Sequence, residues 1–295
     1  MEAATPAVVA LGMFDGVHLG HKALMSRLLE EAGRLCAIPA VYTFSNHPLE
    51  VLGGSVRLLS STLERNRMLR ALGAEELASV PFTREMSSLG PEAFVDLLSE
   101  RWDVRGLVVG YNYTFGESGS GTPETLREIG RARGFSVSVV EPVLCEGEPV
   151  SSTRIRAALE RGDVGVAERL LGRRYTLAGN VVQNKRIGRR IGFPTANIET
   201  DERRVIPADG VYATFAFVGD GVFRAVTNIG TNPTVCGTRR TIETHLIGFT
   251  ADIYGRQLTV AFRSRLRGEA TFDSLEALKE QIRLDVEAES ALCGV

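Results

Sequence analysis

Two histidines near the start of the chain, His18 and His21, have the spacing of a phosphate-binding pair. They lie in the segment 12–21, which reads GMFDGVHLGH and follows an apolar run that predicts a short buried strand. Three residues of separation in the first turn of a helix would project both imidazoles from one face. The helix N-terminus would add unsatisfied N–H groups and a dipole that favours anions. The segment therefore predicts a site that binds a triphosphate and stabilises charge on a departing pyrophosphate.

The glycines around these histidines support the same interpretation. Gly16 and Gly20 would let a phosphate or a ribose come close to the backbone, because neither residue has a side chain. A metal-binding pair and two surface histidines remain as alternatives, although zinc would require a third protein ligand and none stands out. The segment 151–156, SSTRIR, opens a predicted helix and offers hydroxyls and arginines to the same triphosphate.

A basic loop followed by a rigid turn is the second candidate site. Residues 185–192 read KRIGRRIG, and residues 193–197 read FPTAN. Backbone amides beside the glycines of such a loop can cradle phosphates. The Thr195 hydroxyl and the Asn197 carboxamide are hard oxygen donors, which suit Mg²⁺ when substrate phosphates complete its coordination. A solvated basic loop with a proline turn is the alternative.

The segment 242–246, IETHL, supplies a candidate base for phosphoryl transfer to a hydroxyl group. Its alternation would place Ile242, Thr244 and Leu246 on one face of a strand. Glu243 and His245 would lie on the other face. Glu243 is the better candidate base, and His245 is expected to be packed or hydrogen-bonded in a structural role.

The elements that must position these residues change in type near residue 172. Before it, short apolar runs alternate with helical patterns, which predicts a parallel sheet with crossover helices. The predicted strands are 7–12, 39–44, 76–81, 106–110 and 136–140, and the predicted helices are 19–35, 62–72, 91–102, 122–134 and a pair over 153–171 that stops at Gly162 and Gly172.

The C-terminal part has the pattern of an antiparallel barrel or sandwich. Its short runs are rich in Val, Thr, Phe and Ile and are separated by Gly, Pro and Asn. The predicted strands are 176–183, 210–218, 223–229, 241–249 and 257–266. An amphipathic helix follows, with Asp273 and Glu276 as a predicted capping box. We therefore expect two domains, residues 1–172 and 173–295.

Composition restricts the classes of partner. The chain has 295 residues and a net charge of −2, so it has no basic excess for nucleic acid. No apolar run approaches the ~18 residues that span a bilayer, and no signal-peptide pattern is present. The four cysteines are far apart in sequence, and no pair has the spacing of a zinc or redox site. Free thiols in a reducing cytoplasm are the expectation.

The N-terminal motifs resemble the H-x-G-H nucleotidyltransferases, in particular the FMN adenylyltransferases. The resemblance covers segments 12–21 and 151–156, the segment 108–116 (VVGYNYTFG), Thr43-Phe44 with His47-Pro48, and 81–83 (PFT). It implies a Rossmann-like α/β domain that moves AMP from Mg-ATP to FMN, giving FAD and pyrophosphate. It also implies catalytic contacts from His18 and His21 to the ATP phosphates. The nucleotide- and flavin-binding residues that it implies are Gly12, Phe14, Asp15, Gly16, Asn112, Ser152, Thr153 and Arg156.

The C-terminal motifs resemble riboflavin kinase over most of residues 173–290. The matching segments are 188–197, 210–212 (GVY), 228–230 (NIG), 232–234 (NPT), 243–245 (ETH) and 252–255 (DIYG). The resemblance implies a small antiparallel barrel that phosphorylates the ribityl 5′-hydroxyl of riboflavin with Mg-ATP. Glu243 would activate the hydroxyl, while Thr195 and Asn197 would bind Mg²⁺. The other binding residues that it implies are Gly188, Arg189, Gly192 and Pro194.

Together these resemblances predict a bifunctional enzyme of flavin cofactor biosynthesis. The expected architecture is an α/β Rossmann-like nucleotidyltransferase domain, then a small antiparallel β-barrel domain with a C-terminal helix. The expected ligands are riboflavin, FMN, FAD, ATP and Mg²⁺, with no nucleic-acid or membrane partner, in a monomer or weak homo-oligomer. A nucleotidyltransferase with another acceptor, and a non-enzymatic flavin- or nucleotide-binding regulator, are the alternatives.

Overall fold

The computed structural model describes residues 4–183, 192–234 and 237–292, which belong to two units, 1–152 and 153–295. The first unit is built on a parallel sheet of five strands in the order β3-β2-β1-β4-β5. The strands are β1 (Pro6–Leu11), β2 (Ile38–Phe44), β3 (Glu76–Val80), β4 (Asp103–Gly110) and β5 (Ser136–Val140). This arrangement confirms the predicted Rossmann-like sheet.

Helices cover both faces of this sheet. They are α1 (Leu19–Arg34), α2 (Pro48–Val51), α3 (Thr62–Ala71), α4 (Arg84–Ser87), α5 (Pro91–Arg101) and α6 (Pro123–Arg133), with a 3-10 turn at Glu117–Gly119. Residues of β1 alternate between two hydrophobic clusters. Val8 and Ala10 pack with α1 and α3 on one face, whereas Val9 and Leu11 pack with α5 and α6 on the other. Burial on both faces explains why β1 is an uninterrupted apolar run.

The strand order reverses beside β1, which pairs with β2 on one side and with β4 on the other. In open parallel sheets, ligands bind in the crevice outside the carboxyl ends of the strands at such a reversal. Gly12 directly follows β1, and Asn112 lies in the turn that follows β4. The fold therefore brings both ends of the predicted N-terminal site to one edge of the sheet. A two-stranded hairpin, β6 (Leu144–Cys145) and β7 (Glu148–Pro149), completes this unit.

A helix pair, α7 (Ser152–Arg161) and α8 (Val164–Leu171), begins at the boundary between the units. Gly162 joins the two helices with φ +82°, and Gly172 caps α8 in the left-handed region, as the sequence predicts. From Thr153 onward this pair belongs to the second compact unit, and the domain boundary at residue 172 stays a prediction. Within the second unit, the Ala208 N–H donates to the Leu159 carbonyl at 2.9 Å.

Six antiparallel strands close the second unit into a barrel in the order β10-β11-β12-β9-β8-β13. They are β8 (Thr176–Val182), β9 (Ala196–Glu199), β10 (Gly210–Val218), β11 (Gly221–Thr234), β12 (Gly237–Leu246) and β13 (Gln257–Arg267). The predicted antiparallel barrel is confirmed. The short strand β9 was not predicted, and its pairing with β8 and β12 closes the ring.

The C-terminal helix α9 (Leu275–Ala291) is confirmed, but the predicted capping box is wrong. The N-cap is Ser274, whose hydroxyl accepts the Ala277 N–H at 3.1 Å. Asp273 therefore lies one residue before the cap, and Glu276 is in the first turn. None of the described helices is long and apolar enough to cross a membrane.

Candidate functional site

The loop between β1 and α1 has an unusual backbone conformation. Phe14, Gly16 and Val17 have φ values of 53°, 78° and 41°. Such values are strained for residues other than glycine, and they persist only where surrounding contacts enforce them. Asp15 supplies some of these contacts, because its buried carboxylate accepts the backbone N–H groups of Leu59, at 2.9 Å, and Ser60, at 3.1 Å. The loop is thus held in shape from a segment more than forty residues away in sequence.

His18 and His21 form a stacked pair at the start of α1. Their ring centroids are 3.6 Å apart with an interplanar angle of 15°. His18 is the N-cap, and its Nδ1 accepts the backbone N–H of His21 at 3.3 Å. In a neutral ring this acceptor role leaves the proton on Nε2. The structure therefore brings together the two histidines that the sequence singled out, at the N-terminus of a 16-residue helix.

His21 has the electrostatic signature of a functional residue. Burial, followed by the nearby charges of His18 and Arg65, holds the pKa of His21 well below its ordinary value. Its ring is therefore neutral near pH 7. Its Nδ1 is buried and has no hydrogen-bond partner within the described parts of the chain. A buried ring nitrogen without a partner is costly, and a bound polar ligand would remove that cost.

The other predicted residues of this site differ in whether their side chains face the protein interior or the solvent. The Phe14 side chain is fully buried against the His21 ring, and the Asp15 carboxylate faces the protein, so both support the loop. The Ser152 hydroxyl donates to the Asp15 carbonyl at 3.0 Å. Asn112 is exposed at the end of β4. Thr153 and Arg156 follow on α7 and belong to the second unit, so their placement against the nucleotide stays a prediction.

Two residues next to this loop were missed by sequence reasoning, Ser60 and Arg65. The Ser60 hydroxyl accepts the Gly16 N–H at 3.0 Å, and Arg65 donates to the Met13 carbonyl at 3.2 Å. Ser60 directly precedes the N-cap of α3 and Arg65 lies in the first turn, where Ser61 and Glu64 form a capping box. The start of this helix agrees with the predicted helix 62–72, and the S-x-x-E pattern is its capping signal. Nothing in the local sequence indicates that it touches the loop.

The second site gathers Thr195, Asn197 and Glu243. Glu243 on β12 is the register partner of Asn197 on β9. Burial raises the pKa of the Glu243 carboxyl, and a hydrogen bond from the Thr195 side chain opposes part of that increase. Ile242, Thr244 and Leu246 are buried in the barrel, whereas Glu243 and His245 are on the less buried face of β12, as the alternation predicts. The structure therefore unites the predicted base with both predicted magnesium ligands.

The approach to this site is shaped by the Pro194 turn. His245 Nδ1 is 2.8 Å from the Pro194 carbonyl, and the His245 ring packs edge-on against Phe193. His245 thus has the structural role expected for it. A cavity of about 280 Å³ opens beside the turn, with Thr195, Phe249 and Tyr254 in its lining. Gly192 is exposed before the turn, and the predicted phosphate-binding residues Gly188 and Arg189 lie outside the described residues.

The donor set at this site fits a magnesium ion that is shared with substrate. A hydroxyl, a carboxamide and a carboxylate are oxygen ligands of the kind that Mg²⁺ prefers. Within the described residues, no group of three or more His, Cys, Asp or Glu side chains could hold a metal by itself. Phosphate oxygens and water would therefore have to complete the coordination sphere.

Two protein families match the two parts of the chain. The family model described as FAD synthetase matches residues 1–154, and the model described as riboflavin kinase matches residues 171–293. A solved structure from Streptococcus pneumoniae, described as a macrolide-efflux protein, is 33% identical with a TM-score of 0.91. The alignment covers 98% of this chain and 95% of that one. Its fold therefore matches over nearly the whole length.

The curated relatives name both reactions. A bifunctional riboflavin kinase/FMN adenylyltransferase of Pseudomonas fluorescens is 38% identical over 97% of this chain and 93% of its own length. Proteins of the same description from Escherichia coli K12 and Bacillus subtilis are 38% and 36% identical, each over 90% of its own length. These matches argue against the two alternative functions, a nucleotidyltransferase with another acceptor and a non-enzymatic regulator. The chain belongs to the bifunctional riboflavin kinase/FMN adenylyltransferases, and it phosphorylates riboflavin to FMN and adenylylates FMN to FAD with ATP.

Proposed function

We propose that the two reactions are divided between the two groups of residues described above. His18 and His21, at the start of α1, serve adenylyl transfer in the first unit. Glu243, Thr195 and Asn197 serve phosphoryl transfer on the barrel. The observation that carries the first assignment is the buried, unpartnered Nδ1 of His21 at a helix N-terminus. The second rests on the pairing of Glu243 with the Thr195–Asn197 segment.

In adenylyl transfer, a phosphate oxygen of FMN attacks the α-phosphorus of ATP. The bond from the α-phosphorus to the bridging oxygen breaks, and pyrophosphate leaves with the electron pair. A neutral His21 can donate one N–H to a phosphate oxygen, and the helix N-terminus favours the charge that develops on the leaving group. Gly12 and Gly16 keep the loop backbone open to the nucleotide. Ser152 and Asp15 hold the loop in place.

In phosphoryl transfer, the 5′-hydroxyl of riboflavin attacks the γ-phosphorus of ATP, and ADP leaves. Glu243 accepts the hydroxyl proton, so its carboxylate must lie beside the reacting oxygen. The Thr195 hydroxyl orients that carboxylate through their hydrogen bond. We propose that Thr195 and Asn197 hold Mg²⁺ together with ATP, which would neutralise phosphate charge when bound.

We also propose the class of partner, the cellular location and the oligomeric state of the protein. The net charge of −2 supports small-molecule substrates without a nucleic-acid partner. The exposed free thiol of Cys36 is typical of a reducing compartment and supports a cytoplasmic location. We propose a monomer or weak homo-oligomer, which light scattering after size-exclusion chromatography would test.

The first experiment separates flavins by chromatography after riboflavin, ATP and Mg²⁺ are mixed with the purified protein. We expect FMN and then FAD, and we expect both to disappear when EDTA removes the metal. His21→Ala should accumulate FMN and slow FAD formation at least about 100-fold, the typical effect of losing one transition-state donor. Unchanged FAD production by this variant would remove His21 from the reaction site.

A further inference from the structure

Arg65 lies beneath the histidine loop, although it is distant from it in sequence. Only 3% of this α3 residue is exposed, and its guanidinium donates three hydrogen bonds. The acceptors are the Met13 carbonyl at 3.2 Å, the Phe44 carbonyl at 2.7 Å and the Ser79 hydroxyl at 3.3 Å. Met13 is in the loop itself, while Phe44 and Ser79 are at the carboxyl ends of β2 and β3. One side chain therefore connects the loop to two neighbouring strand ends.

These three hydrogen bonds require a planar side chain with several donors, which is what the forked guanidinium of arginine provides. A guanidinium can reach separate acceptors in fixed directions, whereas the lysine ammonium is a compact point charge on a flexible stem. The loop that it holds contains two non-glycine residues with positive φ, Phe14 and Val17. Such a backbone relaxes when the contacts that enforce it are removed. Loss of the fork would therefore allow Met13, and the His18 cap that follows the loop, to move.

Arg65 also acts on His21 through its charge. The groups that act electrostatically on His21 are His18, on its own helix, and Arg65, on α3. Burial lowers the pKa of the Arg65 guanidinium, and the charge of Asp15 in the loop opposes part of that decrease. A cation beside an imidazole disfavours the protonated ring, so Arg65 helps to keep His21 neutral.

We propose that Arg65 is a positioning residue of the adenylyltransferase site, which fixes the histidine loop against the ends of β2 and β3. This proposal rests on the assignment of His21 to adenylyl transfer. It adds a residue outside the H-x-G-H segment that acts without touching substrate. It also predicts that the effects of shape and charge can be separated, because lysine retains the charge and loses the fork.

The test compares Arg65→Met, Arg65→Lys and the control Arg67→Met in the full-length protein. Arg67 is exposed on the same helix. For each variant, kcat and KM are measured separately for riboflavin phosphorylation and for adenylylation of supplied FMN. The His21 imidazole is titrated by NMR, which is practicable because the chain has four histidines and His21→Gln identifies the signal.

We expect Arg65→Met to lower kcat for adenylylation at least about 10-fold, since small misplacements at a site of this kind can cost about 100-fold. The pKa of His21 should rise, because a positive neighbour has been removed. Arg65→Lys should lower kcat as well, but it should leave the titration of His21 near that of the parent. Phosphorylation should stay within about twofold in every variant, and Arg67→Met should resemble the parent in all measurements.

An unchanged adenylylation kcat in Arg65→Met, or an unchanged His21 titration in that variant, would overturn the proposal. So would an equal loss of both reactions, because that result would mean that Arg65 serves only general folding. Failure of the underlying assignment has a different signature. In that case His21→Gln would adenylylate FMN at the parental rate, whatever Arg65 does.

Discussion

At the scale of single residues, the Glu243 carboxylate is the clearest candidate for a group that moves a proton. Glu243→Gln keeps the shape and the hydrogen-bonding capacity toward Thr195, but it removes the basic oxygen. We expect the rate of FMN formation to fall at least about 100-fold, the usual contribution of a general base. Adenylylation of supplied FMN should remain within about twofold, because His18 and His21 lie in the other unit. Rates of both reactions, measured with saturating ATP and Mg²⁺, provide the check.

A matched control for this substitution is Glu202→Gln, which changes an exposed glutamate of the same unit. It should phosphorylate riboflavin at the parental rate. If Glu243→Gln did the same, Glu243 would only support the turn at Pro194. Loss of both reactions in Glu243→Gln would instead contradict the separation of the two sites.

At the scale of elements, the N-terminus of α1 depends on a glycine at position 20. A Cβ added there would lie 3.1 Å from a carbon of the His18 ring, and therefore the ring would have to shift by a few tenths of an ångström from its capping position. We expect Gly20→Ala to lower adenylylation at least about 10-fold, because displaced catalytic groups lose transition-state contacts. Phosphorylation should be unaffected. Flavin chromatography with FMN and with riboflavin as separate substrates measures both effects.

Gly33→Ala is the matched control on the same helix. A Cβ at Gly33 would have no atom within 4 Å, so alanine should only strengthen the helix, by up to about 1 kcal/mol. Its adenylylation rate should equal that of the parent. A parental rate in Gly20→Ala would show that the His18 cap is dispensable.

The C-terminal helix is attached to the barrel by buried charge. Glu289 is completely buried and accepts a hydrogen bond from Arg263 at 2.7 Å, while the Asp285 carboxylate accepts hydrogen bonds from Nε and Nη2 of Arg267, each at 2.9 Å. Removing one partner of a buried pair leaves the other uncompensated. Glu289→Ala should therefore destabilise the barrel by about 3 kcal/mol. Native-state hydrogen exchange of the β13 amides measures this change directly.

Glu287→Ala on the same helix removes an exposed carboxylate that pairs with Arg283. An exposed pair contributes little, so a change of at most about 0.5 kcal/mol is expected. Equal losses from the two substitutions would mean that burial of Glu289 has no energetic consequence.

The elements that were predicted correctly are those whose own residues contain the signal. The strands and helices of the first unit follow hydrophobic periodicity, and Gly162 and Gly172 end helices as glycine should. The short strand β9 was missed because its four residues, ANIE, contain no apolar run, and only pairing with β8 and β12 defines it. Contacts between Asp15 and Ser60, and between Arg65 and Met13, were missed for the same reason. They join segments that only the folded sheet brings together.

At the scale of the whole molecule, the product of the barrel is the substrate of the first unit. His21→Ala should produce FMN that it cannot use, and Glu243→Gln should use FMN that it cannot make. We expect a mixture of the two variants to form FAD from riboflavin, because FMN released by one chain can diffuse to the other. For the mixture, the early rate of FAD formation should increase more steeply than in proportion to the total protein concentration. For the parent, this rate should be proportional to the protein concentration.

A mixture that accumulates FMN without FAD, while each variant retains its own reaction, would contradict free exchange. FMN would then have to pass within one chain. The control is Glu243→Gln supplied with FMN at the concentration that His21→Ala reaches. If that control makes FAD and the mixture does not, release of FMN from the barrel is the step that limits the whole molecule. The two reactions would then be kinetically coupled, even though the residues proposed as catalytic for each reaction lie in separate units.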